Sequence, residues 1–201
     1  MPATVYVIDD DASIRTSLMR LLRASGYAAQ EYESAEAFLA HPPADIDGCL
    51  LLDLRMPGLN GLDLQAAIAA RGWVLPIVFV TGHGDVPAIV RAMKGGAVDF
   101  LIKPVDGDVL LAAIDRAHEQ AALKRRELAE ISGLQERFQT LTPREREVMV
   151  LIASGRLNKQ VAGDLGTAEK TIKVHRGRVM EKMQVPSLAD LVRAAGRLGL
   201  N

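Results

Sequence analysis

Residues 49–53 read CLLLD, four apolar side chains ending in a carboxylate. A short run that is apolar throughout suits a strand buried on both faces, since a strand with one wet face alternates. Three further runs share the pattern and lead into polar residues: 4–11 is TVYVIDDD, 77–81 is IVFVT and 98–103 is VDFLIK. A weaker extended piece covers 27–32. Between these lie stretches with apolar residues at helical spacing, over 13–24, 62–70, 87–93 and 109–122. In the first of them Ile14, Leu18, Leu21 and Leu22 form one stripe. Five strands alternating with helices over residues 1–120 predict an α/β domain built on a doubly wound parallel sheet.

Composition bounds the alternatives. The 201 residues are 49% hydrophobic and 24% charged, ordinary values for a globular chain and far from collagen-like or wholly disordered ones. A single cysteine, Cys49, excludes an internal disulfide framework and reads as a small core residue. The acidic opening MPATVYVIDDD is unlike a signal peptide, and no run of about 18 apolar residues exists. A cytoplasmic protein without a membrane partner is expected. The net charge of −1 conceals an asymmetry. Residues 1–120 carry 9 Lys/Arg against 16 Asp/Glu, a net of −7, and residues 121–201 carry 15 against 9, a net of +6. The acidic half suits a metal or a cationic surface and the basic half a polyanion.

From about residue 108 the helical pattern continues through LLAAIDRAHEQAALKRRELAEI, residues 110–131, with no proline until Pro143. This predicts that the last helix of the first domain extends into a connecting helix, softened at Ser132–Gly133. The expected division is 1–120, a linker helix over 121–137, and a small all-α domain over 138–201. Four short helices are predicted in the latter. The first starts at Thr142-Pro143, an N-cap followed by proline, and ends at Ser154-Gly155. The others cover 158–165, closed by Gly166, then 167–183, broken by Pro186, and 187–198.

In a doubly wound sheet, residues just past the strand C-termini gather in one crevice. Asp9, Asp10, Asp53, Thr81 and Lys103 all stand there. Carboxylate oxygens are hard ligands suited to Mg²⁺, which relieves their mutual repulsion and accepts a phosphate beside them. Asp53 can act as a nucleophile on a phosphoryl group, with Lys103 as a point charge and Thr81 as a hydroxyl donor for the product. Each residue alone has a plainer use: an Asp pair after a strand commonly caps a helix, and a lysine before proline usually lies in a surface loop. Their arrival at the ends of four different strands carries the reading. Arg55 stands where a phosphatase of this chemistry would place a second carboxylate, and there is no glycine-rich phosphate loop. Both features point away from an enzyme acting on a separate substrate.

Residues 169–183 read EKTIKVHRGRVMEKM. At about 100° per residue, Ile172, Val179 and Met183 share one face. Lys170, Lys173, Val174, Gly177 and Arg178 share the other. The wheel describes a helix held by its apolar face with a basic face left free. Short side chains at Val174 and Gly177 would allow close approach, and Val174 could touch a thymine methyl. A preceding short helix and a turn at Gly166 complete a helix-turn-helix arrangement.

The segments VIDDD, LLLDLRMPGLNG and FVTGHGDVPAIVRAMKGGAVDFLIKP resemble, almost continuously, the receiver domain of two-component response regulators, most closely the FixJ-like subgroup. The resemblance covers about residues 3–120 and implies a flavodoxin-like receiver fold. It implies that Asp53 is the phosphoacceptor, and that Asp10, Asp53 and the Arg55 backbone carbonyl bind Mg²⁺, with Asp9 acting through water. It makes Thr81 and Lys103 the phosphate-sensing pair and Phe100 an aromatic switch, and it makes the bond before Pro104 cis. Asp11 is not counted as a ligand, and Met56 is expected to pack beside the site. His41, His83 and His118 show no ligand spacing.

The segment LTPREREVMVLIASGRLNKQVAGDLGTAEKTIKVHRGRVMEKM is similar to the LuxR-type DNA-binding domain, over residues 139–200. This makes 167–183 the recognition helix and 158–165 its support. It places Lys173, Val174 and Gly177 toward the bases, and Thr171, His175, Arg178 and Lys182 toward phosphates, with Lys170 also among the DNA-binding residues. Lys159 is a lesser candidate, and Arg176 falls nearer the core. The implied partners are a sensor histidine kinase, double-stranded DNA, RNA polymerase and, on phosphorylation, a second copy of the chain docking through residues 85–110.

Overall fold

The computed structural model describes residues 4–43, 46–82 and 84–200; His83 and the first three residues lie outside them. Its contacts cluster into two compact units that meet at Arg125 and Arg126.

In the first unit, strands β1 (Thr4–Ile8), β2 (Ala28–Tyr32), β3 (Gly48–Leu52), β4 (Ile77–Thr81) and β5 (Asp99–Ile102) form one parallel sheet in the order β2-β1-β3-β4-β5. Helices α1 (Ala12–Ala24), α2 (Ala35–Ala40), α3 (Gly61–Ala70) and α4 (Val86–Lys94) connect the strands, and α5 (Gly107–Gln139) follows them and runs on into the second unit. Side-chain alternation sorts the apolar runs onto two faces. Val5, Val7, Cys49, Leu51, Val78 and Val80 meet Met19 and Leu22 of α1 and Leu110, Ala113 and Ile114 of α5. Tyr6, Ile8, Leu50, Leu52, Ile77 and Phe79 meet Phe38 of α2, Leu64 and Ile68 of α3, and Ala88 and Ala92 of α4. Burial on both faces is why Val5–Ile8, Cys49–Leu52 and Ile77–Val80 are apolar throughout. The doubly wound parallel sheet is therefore as predicted.

Three local differences have physical causes. Helix α2 has no counterpart in the periodicity: six residues are under two turns, and Ser34 starts the helix by accepting from the Ala37 N–H at 3.1 Å. β4 includes Thr81, which lies in the ladder opposite Ile102. The softening expected at Ser132–Gly133 does not occur, because α5 is helical throughout Gly107–Gln139. There Arg137 Nε donates to the Gly133 carbonyl at 2.9 Å, and Leu134 is buried.

The second unit packs α6 (Pro143–Ala153), α7 (Asn158–Asp164), α8 (Glu169–Met183) and α9 (Leu188–Arg197) around Val148, Met149, Ile152, Val161, Ile172, Val179 and Leu191. A capping box starts α6, with Thr142 and Glu145 bonding each other's backbone. Helix α8 begins at Glu169 rather than 167, since the Thr167 N–H donates back to the Ala162 carbonyl and finishes the preceding turn. It ends at Gln184 in the left-handed conformation (φ 54°), two residues before Pro186.

Candidate functional site

The parallel register aligns Ile8 with Leu52, Leu52 with Phe79 and Thr81 with Ile102. The ladder runs one residue further. The Asp53 N–H donates to the Ile8 carbonyl and the Lys103 N–H to the Thr81 carbonyl, both at 2.8 Å. Asp9, Asp53, Thr81 and Lys103 therefore share the C-terminal edge, around the β1/β3 junction where the strand order reverses. Gly61 lets the start of α3 lie against this edge, because a Cβ there would fall 2.4 Å from the Asp53 carbonyl oxygen.

Carboxylate oxygens of Asp9, Asp10 and Asp53 lie within 4.8 Å of one another. Asp9 and Asp53 are buried and Asp10 is exposed. The Lys103 ammonium is 2.5 Å from Asp9 Oδ2 and 3.7 Å from Asp53 Oδ1. Thr81 is buried and donates its hydroxyl to Asp53. Asp53 Oδ1 is buried with no hydrogen-bond partner. Burial pushes the Asp53 carboxyl above its ordinary range, against the pull of Lys103 and Thr81. A crevice of about 410 Å³ opens over the group, room for a phosphoryl group and several waters at ~30 Å³ each. Three hard oxygen donors, one of them buried and unsatisfied, fit a small divalent cation.

The remaining receiver residues fall around this crevice. Arg55 is exposed on its wall. Phe100 is half-buried, stacked on Phe79 with centroids 5.9 Å apart. Its edge lies where a Cβ on Gly84 would come within 2.9 Å. The Lys103–Pro104 peptide is cis. Asp11 caps α1, accepting from Ser13 and Ile14, which holds its carboxyl below the ordinary range. Met56 and Cys49 are buried, and burial pushes the Cys49 thiol up to about 12.

One residue that sequence reasoning passed over also belongs here. Arg15 Nη1 donates to the backbone carbonyls of Asp9 and Asp10, at 2.7 and 3.1 Å. The signal was available: Arg15 stands one turn past the N-cap, and helical side chains lean toward the N-terminus.

On α8, Ile172, Val179 and Met183 are fully buried, as the wheel predicts. Lys170, Thr171, Lys173, Val174, Gly177 and Arg178 are exposed, and Arg176 is half-buried. Lys173 Nζ lies 3.5 Å from Glu169, an exposed pair that is weak and free to rearrange. Lys159 is exposed at the start of α7. Two residues placed on phosphates sit differently. His175 is half-buried, with Nδ1 buried and without a partner. Lys182 donates to buried Glu145 at 2.6 Å and to the Thr140 carbonyl at 3.3 Å, so its ammonium is tied into the domain. From sequence Glu145 reads only as an acid in the first turn of α6; its bonds to the Thr142 N–H and to Lys182 come from the fold.

Residues 5–115 match the response regulator receiver domain, and residues 139–195 match the bacterial regulatory proteins of the luxR family. Nodulation protein W of Bradyrhizobium diazoefficiens is 48% identical over 199 residues, covering 99% of this chain and 88% of that protein. Transcriptional regulatory protein FixJ of Rhizobium meliloti is 42% identical over 192 residues, covering 96% and 94%. Among solved structures, the response regulator StyR aligns over 98% of this chain and 100% of its own, with TM-score 0.83 and 44% identity. Full-length FixJ from B. japonicum aligns over 99% and 98%, with TM-score 0.60 and 44% identity. With whole-length relatives and both domains matched, the chain belongs to the response regulators, joining a receiver domain to a LuxR-type DNA-binding domain.

Proposed function

We propose that the chain is a phosphorylation-controlled transcription regulator whose Asp53 accepts a phosphoryl group from a sensor histidine kinase. The observation that carries this reading is the buried Oδ1 of Asp53, which accepts no hydrogen bond and is set between Lys103, Thr81 and two further carboxylates. An Asp53 oxygen attacks the phosphorus of a phosphohistidine. The new P–O bond forms as the P–N bond breaks, and the released imidazole takes a proton from solvent. Asp10, Asp53 and the Arg55 carbonyl would hold Mg²⁺, with Asp9 acting through water. The bound ion supplies positive charge against the transferring oxygens.

Once phosphorylated, Asp53 offers oxygens that accept from the Lys103 ammonium and the Thr81 hydroxyl. Movement of Thr81 lets Phe100 turn further inward and reshapes the surface over 85–110, where a second copy docks. Dimerisation brings two α8 helices to two half-sites, so affinity rises by linkage. On α8, Lys170, Lys173, Val174 and Gly177 face the bases, while Thr171 and Arg178 hold phosphates. His175 has a secondary part. Lys182 acts through Glu145, holding α8 to α6. A Cβ at Gly177 would meet nothing within 4 Å, so the domain's own packing does not require this glycine, and close approach of DNA gives it a reason. RNA polymerase is the further partner of a DNA-bound dimer. The protein acts in the cytoplasm, as a regulator rather than an enzyme on a separate substrate; no helix among the described residues is long and apolar enough to cross a membrane.

The test is treatment with a small acyl phosphate and Mg²⁺, followed by peptide mass analysis. One phosphoryl group on the peptide containing Asp53, absent from Asp53→Asn, is expected. Phosphate on another residue, or none, overturns the reading.

A further inference from the structure

We infer that Arg15 is a positioning residue for the Mg²⁺-binding carboxylates, acting through the backbone of the β1–α1 loop. The inference rests on the Mg²⁺ reading above. Arg15 Nη1 takes the carbonyls of Asp9 (2.7 Å) and Asp10 (3.1 Å) together. This fixes two successive peptide planes, those on either side of the Asp10 Cα. The Asp10 carboxylate is exposed and, among the described residues, makes no hydrogen bond or ion pair of its own, so only its backbone restrains where it stands. Asp9 is held more fully, through the Asp11 N–H on Oδ1 at 3.0 Å and Lys103 on Oδ2. Arg15 therefore restrains the backbone that carries the least constrained carboxylate.

The guanidinium is itself held. Its Nε lies 3.6 Å from Glu31 Oε2 on β2, and the Arg15 side chain is only 14% exposed. The restraint runs from the edge strand through α1 to the loop. A planar guanidinium can reach a carboxylate with one nitrogen and carbonyls with another, which a lysine ammonium does less well. Partners that orient metal ligands are typically worth tenfold or more in affinity.

Charge and positioning predict opposite signs, which makes the inference testable. Removing a nearby cation should by Coulomb's law strengthen Mg²⁺ binding, whereas losing the loop restraint should weaken it. Mg²⁺ is titrated calorimetrically into the unphosphorylated full chain, and each variant is melted with and without Mg²⁺. Arg15→Met is expected to bind about tenfold more weakly, Arg15→Lys to lie between it and wild type, and Glu31→Gln to shift the same way by less. Arg15→Met should also lose most of the Mg²⁺-induced rise in melting temperature. A purely structural residue would instead lower both melting curves alike. Unchanged or tighter binding by Arg15→Met overturns the inference. If that variant does not fold, wild-type affinity in both Arg15→Lys and Glu31→Gln overturns it. Wild-type protein that binds no Mg²⁺ at millimolar concentration overturns the Mg²⁺ reading and the inference with it.

Discussion

Lys103 pairs with both Asp9 and Asp53 but hydrogen-bonds only Asp9: its Nζ is 2.5 Å from Asp9 Oδ2 and 3.7 Å from Asp53 Oδ1. The ammonium thus occupies charge that a divalent cation would also use. Lys103→Met should bind Mg²⁺ several-fold more tightly, by removal of the competing cation, yet lose phosphate-stimulated DNA binding. Titration calorimetry of the unphosphorylated protein checks the first part and a gel-shift assay the second. Weaker Mg²⁺ binding would show that Lys103 organises the carboxylates instead of competing for them.

Gly177 sits mid-helix on the exposed face of α8, with open space where a Cβ would go. Gly177→Ala should stabilise the free domain by about 0.5–1 kcal/mol, the helix-propensity difference. If DNA approaches closely there, the same change should weaken binding about tenfold, or 1.4 kcal/mol. Denaturant titration and DNA binding measured on one preparation check both signs; a stabilised variant with unchanged affinity removes Gly177 from the interface.

The Lys182–Glu145 pair ties the end of α8 to the start of α6, where Glu145 is 3% exposed. The hydrogen bond from Lys182 is the main reason the Glu145 carboxyl lies below its ordinary range. Lys182→Met leaves a buried acceptor without its charged donor and should cost about 1–2 kcal/mol at neutral pH. A carboxyl with a lowered pKa in the fold contributes stability above its ordinary value of 4.5 and loses it as the pH falls below that. The penalty should therefore shrink in acid. Urea unfolding of wild type and variant at neutral pH and at about pH 3.5 checks this.

His118 supplies the pH dependence nearer neutrality. Its ring lies 5.9 Å from that of Tyr27, and Nε2 is buried without a partner, so a protonated imidazole would bury an unsatisfied N–H. Burial holds its pKa below the ordinary 6.5; Asp115 and Asp47 pull it up, and Arg125 adds to the lowering. The unfolded chain takes the proton first. Native stability should thus be full above 6.5 and decline as the pH falls toward the folded value. Urea midpoints at about pH 7.5 and about pH 5.5 should differ in wild type and differ less in His118→Gln.

Much of this was legible in the chain because the central strands of a parallel sheet are covered on both faces. CLLL and IVFV can hardly serve elsewhere, and the residues that follow such strands converge by topology alone. The α8 face was legible because helical period and burial coincide at Ile172, Val179 and Met183. Local pattern fell short where a side chain answers to a distant partner. Glu145 reads as a first-turn acid until α8 brings Lys182 to it, and Lys182 reads as a free cation for the same reason. Arg15 is one of several basic residues on α1 until the loop carbonyls are placed. Ser132–Gly133 carries poor helix propensity, about 1 kcal/mol at the glycine, and the burial of Leu134 and the Arg137 bond to the Gly133 carbonyl outweigh it.

The central claim is that a phosphoryl group on Asp53 changes the grip of α8 on DNA. The direct measurement is the affinity of a duplex, selected from a random pool, for wild type and Asp53→Asn at one fixed salt concentration, with and without phosphodonor. Wild type should tighten about tenfold or more on phosphorylation, and Asp53→Asn should not respond. Equal affinities for the two wild-type forms, or a full response by Asp53→Asn, would contradict the account.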